Sequence, residues 1–223
     1  MKKKSTLIFI ILILLLAAYL RLYRIGDYMT FLGDEGRDVL VAKEILGGNL
    51  TLLGPRSSAG DFFMGPIYYY MIAPFLLIFH YDPIGPAIMV ALLGVATVVL
   101  VYKLGNEFFG KRSGIIAALF YAFSPLVIAY SRSSWQTNLM PFFSILTLYS
   151  LYLAVWKKDK RLFLLSGIFL GIAMQLHYLT TFLAFIVGVY LVITQFIQSE
   201  KINLTIKHIV SKGIFLFLGF LIG

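Results

Sequence analysis

GPIYYYMIAPFLLIFHY, residues 65–81, decides how this chain threads a bilayer. Its apolar part, 65–79, is interrupted by Pro74 and loaded with Tyr68, Tyr69 and Tyr70, and Tyr81 follows. A spanning helix needs about 20 apolar residues, and tyrosine favours the headgroup level. The stretch reads as a helix in or on the outer leaflet that does not cross.

Outward from it, the other apolar runs set spans at about 5–22, 84–103, 113–131, 139–156, 162–178 and 180–198, with another starting at 213. If 65–79 crossed too, Lys103, Lys111 and Arg112 would face outward, as would Lys201, Lys207 and Lys212. With 65–79 held to one side, both clusters join Lys2, Lys3, Lys4, Lys157, Lys158, Lys160 and Arg161 on the cytoplasmic face. Thirteen basic residues then lie inside and six outside (Arg21, Arg24, Arg37, Lys43, Arg56, Arg132), which is the positive-inside pattern.

The predicted fold is an all-α, multi-pass transmembrane helical bundle in the plasma (inner) membrane, with a cytoplasmic N-terminus. A long external first loop, 23–83, carries juxtamembrane helices at about 35–46 and 66–80. Composition agrees, with 60% hydrophobic and 13% charged residues among 223 and a mean hydropathy of +0.90. A soluble domain carries roughly twice that charge. The surplus of 19 basic over 10 acidic residues sits in short clusters between apolar runs. It is therefore a topology signal, and no nucleic-acid partner is implied. The absence of cysteine excludes disulfides and thiolate metal sites. The lysines before run 5–20 suit an uncleaved anchor, with a signal peptide the alternative, and GIFLFLGFLIG (213–223) stops inside an apolar run. The sequence is thus expected to be the N-terminal portion of a longer protein.

Seven of the ten acidic residues fall in the external segment, most densely in FLGDEGRDVL (31–40). Asp34 can cap a helix from about Glu35 to Leu46, closed by Gly47 and Gly48, because its side chain can accept an orphan backbone N–H. Asp34 and Glu35 can equally serve as a base or metal ligand at the membrane surface, with Arg37 and Asp38 setting protonation. The two roles differ in their demands. A cap stabilises the ionised carboxylate, whereas a general base works best with a pKa near the operating pH.

The order of features continues with a Gly65-Pro66-Ile67-Tyr68-Tyr69 lead-in to the short helix. LGNEFFGKRSGIIAALFYAFSPLVIAYSR (104–132) and GIAMQLHYLT (171–180) follow. This arrangement resembles the N-terminal half of GT-C-fold glycosyltransferases of the protein O-mannosyltransferase and aminoarabinose transferase type. The resemblance implies transfer of a sugar, with inversion, from a polyprenyl-phosphate donor to a hydroxyl of a protein, lipid or glycan acceptor. The reaction would proceed among membrane lipids on the external (periplasmic) face. It implies Asp34 as general base, or in some relatives a metal-associated carboxylate, with Glu35 its partner in the motif. A lipid-phosphate leaving group calls for cations, for which Arg132 and then Arg37 are the candidates; Arg132 also fits a snorkelling interfacial arginine.

Trp135 can stack on a sugar ring or anchor at the interface, and Asn138 can hydrogen-bond a sugar hydroxyl. His177 is a packing residue or a phosphate or metal ligand. Two departures stand out. Phe63 and Met64 stand where aminoarabinose relatives have Glu and Lys, leaving Asp61 as a weak substitute. The second external loop, SRSSWQTN (131–138), has Gln136, Thr137 and Asn138 where many relatives have an acid. A divalent metal is compatible with the sequence and not required by it.

Two other readings compete. A transporter concentrates ionisable residues near the midplane of its spans, whereas here they lie in the loop. A non-catalytic membrane assembly subunit could use the charged loop as a docking surface.

Overall fold

The computed structural model describes residues 3–198 and 202–223. The elements are α1 (Lys3–Leu22), α2 (Ile25–Tyr28), α3 (Gly33–Leu46), α4 (Ile67–Ile78), α5 (Ile84–Phe109), α6 (Lys111–Phe123) and α7 (Pro125–Tyr130). A 3-10 turn (Gln136–Leu139) leads into α8 (Met140–Lys157), followed by α9 (Lys160–Leu176), α10 (Thr180–Gln198) and α11 (Ile202–Ile222). The fold is all-α; the described residues hold one isolated bridge, Arg56 to Phe63, and no strand. Among the described residues, three helical segments are long and apolar enough to cross a membrane, namely Ile84–Phe109, Gln136–Lys157 and Thr180–Gln198. Helix α4 has 12 residues. Its rise of about 18 Å falls well short of a hydrocarbon core near 30 Å.

The run 113–131 is not the single helix expected of it. Helix α6 ends at Phe123 and α7 begins at Pro125, with Ser124 extended between them (φ −61, ψ 119). Proline removes a backbone donor and disfavours helical geometry in the residue before it. The Ser124 hydroxyl caps α7 by accepting the Val127 N–H. Arg21 from α1 fills the break. It is fully buried and donates to Ala122 O at 3.1 Å, Tyr121 O at 3.3 Å and Ala17 O at 3.2 Å.

The chain forms two compact units, one through Phe142 and one from Phe143. In the first, Ile13 and Ala17 of α1 pack with Val98 of α5 and with Ala118 and Ala122 of α6. Helices α4 and α5 approach so closely that a Cβ on Gly85 would stand 2.5 Å from Phe75 O. In the second, Leu151, Val155, Phe163, Leu170, Val187 and Leu191 form the core. There α9 meets α11 through Gly167, whose Cβ would lie 2.0 Å from Leu216 O. Small residues allow such backbone contact where burial alone gives helices in lipid little reason to associate.

Candidate functional site

The N-terminal half of helix α3 presents three carboxylates, Asp34, Glu35 and Asp38. Its N-cap is Leu32, so Asp34 is not the cap its position suggested. The first-turn donor is satisfied instead by Glu35, whose Oε2 accepts the Leu32 N–H at 3.1 Å. The Asp34 side chain is 56% exposed, while Glu35 and Asp38 are buried. Arg37 bridges two of the three: NH1 donates to Asp34 Oδ1 at 2.8 Å, and Nε and NH2 donate to Asp38 Oδ1 at 2.9 and 2.7 Å. Asp38 Oδ2 is buried without a partner. Burial pushes the Asp38 carboxyl up to about 6; the hydrogen bonds and charge of Arg37 oppose the shift, and the Asp34 and Glu35 charges add to it. Burial works against the Arg37 cation, but Asp38 and Asp34 outweigh it and raise its pKa.

Neighbouring elements lock this layer. Ser133 donates its hydroxyl to Glu35 Oε1 at 2.8 Å, holding the loop after α7 against α3. Tyr68 of α4 donates to the Ser134 carbonyl, and burial followed by the Asp38 charge pushes its phenol well above the usual range. Over this layer opens a cleft of about 610 Å³ lined by Thr30, Leu32, Asp34, Glu35, Tyr130, Ser133 and Trp135, among others. A second cleft of about 360 Å³ includes Tyr121, Leu126, Thr137, Asn138 and Pro141. Tyr130 and Trp135 line both. A carboxylate facing a cleft with aromatic side chains suits a polyhydroxy ligand, since rings offer a stacking face and carboxylates accept from hydroxyls.

The other expected residues divide. Trp135 is on the shared wall of the two clefts. Asn138 lines the second and donates to Ser133 O at 3.0 Å. Arg132 donates NH2 to the Leu20 carbonyl and lies 4.9 Å from the Tyr28 ring, while its Nε is buried without a partner. Asp61 is an exposed surface residue paired with Arg56 at 2.7 Å. Phe63 is exposed and Met64 buried. His177 belongs to the second unit, where it ends α9, accepts the Leu179 N–H at 3.2 Å and stacks on Tyr178 at 4.5 Å.

No group of three or more His, Asp or Glu side chains able to hold a metal occurs among the described residues. Glu35 is engaged by Ser133 and Asp38 by Arg37. Sequence reasoning assigned no site role to Ser133 and Tyr68, because their roles exist only through tertiary contact. Asp38 carried a signal: at four residues after Asp34 it falls on nearly the same helix face.

A family model described as dolichyl-phosphate-mannose-protein mannosyltransferase matches residues 64–222. The matched region takes in α4 and the Ser133–Trp135 loop but not α3. The Bacillus subtilis (strain 168) protein named "Putative mannosyltransferase YkcB" is 28% identical over 178 residues, which is 75% of this chain and 23% of that relative. The chain therefore spans about a quarter of that relative's length.

Proposed function

Because the chain belongs to the dolichyl-phosphate-mannose-protein mannosyltransferase family, we propose that its full-length protein is a membrane glycosyltransferase. It moves a sugar from a polyprenyl-phosphate donor to a hydroxyl acceptor, with inversion, on the external face. Asp34 takes the acceptor's proton as its oxygen bonds to the anomeric carbon, and the bond from that carbon to the phosphate oxygen breaks. The leaving group departs as polyprenyl phosphate. Arg37 donates a hydrogen bond to Asp34 Oδ1 and holds the carboxylate in place. Trp135 and Tyr130 provide stacking faces for the sugar, and Asn138 a polar group beside them. Arg132 is the nearest cation in sequence to that wall and is the candidate for the donor phosphate.

The observation that supports this reading most directly is the exposed Asp34 carboxylate facing the 610 Å³ cleft, above a buried and fully engaged Glu35. The test is turnover by full-length protein, in detergent or reconstituted, of a labelled polyprenyl-phosphate mannose with a hydroxyl acceptor. Product of inverted anomeric configuration is expected. Donor that binds and is never consumed would point to a binding or assembly role.

A further inference from the structure

The second unit carries a cation cluster that the proposed chemistry does not use. The α8–α9 connection exposes Lys157, Lys158, Lys160 and Arg161 within five consecutive positions. Asp159, the one acid among them, is committed to the fold: its Oδ1 accepts the Arg161 N–H at 2.9 Å and caps α9. Lys212 joins from α11. Its ammonium hydrogen-bonds Gln195 Oε1 and lies 5.7 Å from the Phe163 ring. Lys160 lies 5.2 Å from the Phe215 ring. The ion pairs among the described residues (Arg24–Asp27, Arg37–Asp34, Arg37–Asp38 and Arg56–Asp61) all belong to the first unit and neutralise none of these cations.

A basic run between spans ordinarily does no more than set topology. That accounts for the charge of these residues but not for the position of Lys212, which α11 packs against Phe163 of α9. Lys212 is also bonded to a buried Gln195 whose Nε2 has no partner. Ammonium, guanidinium and amide donors form a donor set matched to phosphate oxygens. Trp156, 65% exposed beside the cluster, suits the level where headgroup meets acyl chain. The α5–α6 connection differs, because Lys103, Lys111 and Arg112 share their stretch with Glu107.

We propose that Lys158, Arg161 and Lys212 bind the phosphate of an anionic lipid headgroup, with Trp156 seated at the headgroup boundary. The site is independent of the Asp34 chemistry.

The test places full-length protein in nanodiscs of phosphatidylcholine with increasing phosphatidylglycerol. It reads retained lipid by native mass spectrometry together with the thermal midpoint. The parent should retain phosphatidylglycerol in preference to phosphatidylcholine. Each cation near an anionic surface contributes about fivefold in affinity, so Lys158→Gln/Arg161→Gln/Lys212→Gln should lose roughly a hundredfold. Lys103→Gln/Lys111→Gln/Arg112→Gln should keep the preference. If the first triple variant does not fold, Lys158→Gln alone, in an exposed connection, should lose about fivefold. Equal loss in both triple variants would reduce the effect to diffuse surface charge and overturn the site. No lipid preference in the parent would do the same. Inorganic phosphate that stabilises the parent equally in pure phosphatidylcholine would make this an ion site and overturn the headgroup assignment.

Discussion

Arg37 donates two hydrogen bonds to a single oxygen of Asp38, at 2.9 and 2.7 Å, and leaves the other oxygen of that buried carboxylate without a partner. The pair is therefore only half compensated. Its cost falls on the ionised form of Asp38, whose pKa rises to about 6 from an ordinary 3.8.

This fixes the sign of a pH effect. The folded chain holds a proton on Asp38 that the unfolded chain releases between about pH 4 and 6. Stability should therefore fall as pH rises through that window, and the loss should persist above it. A difference of that size is on the order of 3 kcal/mol. Asp38→Asn should flatten the slope, as read by thermal unfolding in detergent at pH 4.5 and 7. An unchanged slope in the variant would assign the effect to another group.

Asp34 should separate chemistry from structure. The N-cap is Leu32 and the first-turn bond belongs to Glu35, so Asp34→Asn removes neither. Folding and donor binding should stay near parental, and turnover of the full-length enzyme should fall by roughly 10²–10⁴-fold. Asp34→Ala should behave alike. Near-parental turnover in the Asn variant would remove Asp34 from catalysis.

The helices were legible because apolar run length and helix length are set by the same residues. The weakness of 65–79 as a span showed in its length and Pro74, and α4 has only 12 residues. Pro125 was equally visible, but the run 113–131 was counted as one span. What makes the break stable is Arg21, 104 positions earlier, and no local pattern reports that contact. The acidic layer was half legible for the same reason. Spacing brought Asp34 and Asp38 toward one face, whereas the Ser133–Glu35 bond joins groups 98 residues apart. Arg132 was chosen for its place at the end of a run, and the structure gives its guanidinium to Leu20 and Tyr28.

Topology is testable without activity. The chain has no native cysteine, so Arg56→Cys and Gly110→Cys each provide one label site. If α4 stays in one leaflet, a membrane-impermeant maleimide should reach the two from opposite sides of intact cells or oriented vesicles. Labelling from the same side would show that α4, or an adjoining segment, crosses.

The sharpest test of the packing joins Arg21 to Pro125. In an uninterrupted helix the N–H of residue 125 would bond to Tyr121 O and that of Leu126 to Ala122 O. Proline has no such donor, and Arg21 supplies hydrogen bonds to both carbonyls. Arg21→Met retains the bulk and removes the donors, leaving each buried carbonyl unsatisfied at about 1–3 kcal/mol. Pro125→Ala restores one missing N–H. Arg21→Met should lower the thermal midpoint markedly, and Arg21→Met/Pro125→Ala should recover part of it, with a coupling of at least about 1 kcal/mol in a double-mutant cycle. Turnover should not return with stability, because a straightened α6–α7 displaces Ala129 and Tyr130 from the wall of the cleft. Additive losses would show that Arg21 does not serve the break. Recovery of both stability and turnover would show that the break does not shape the site.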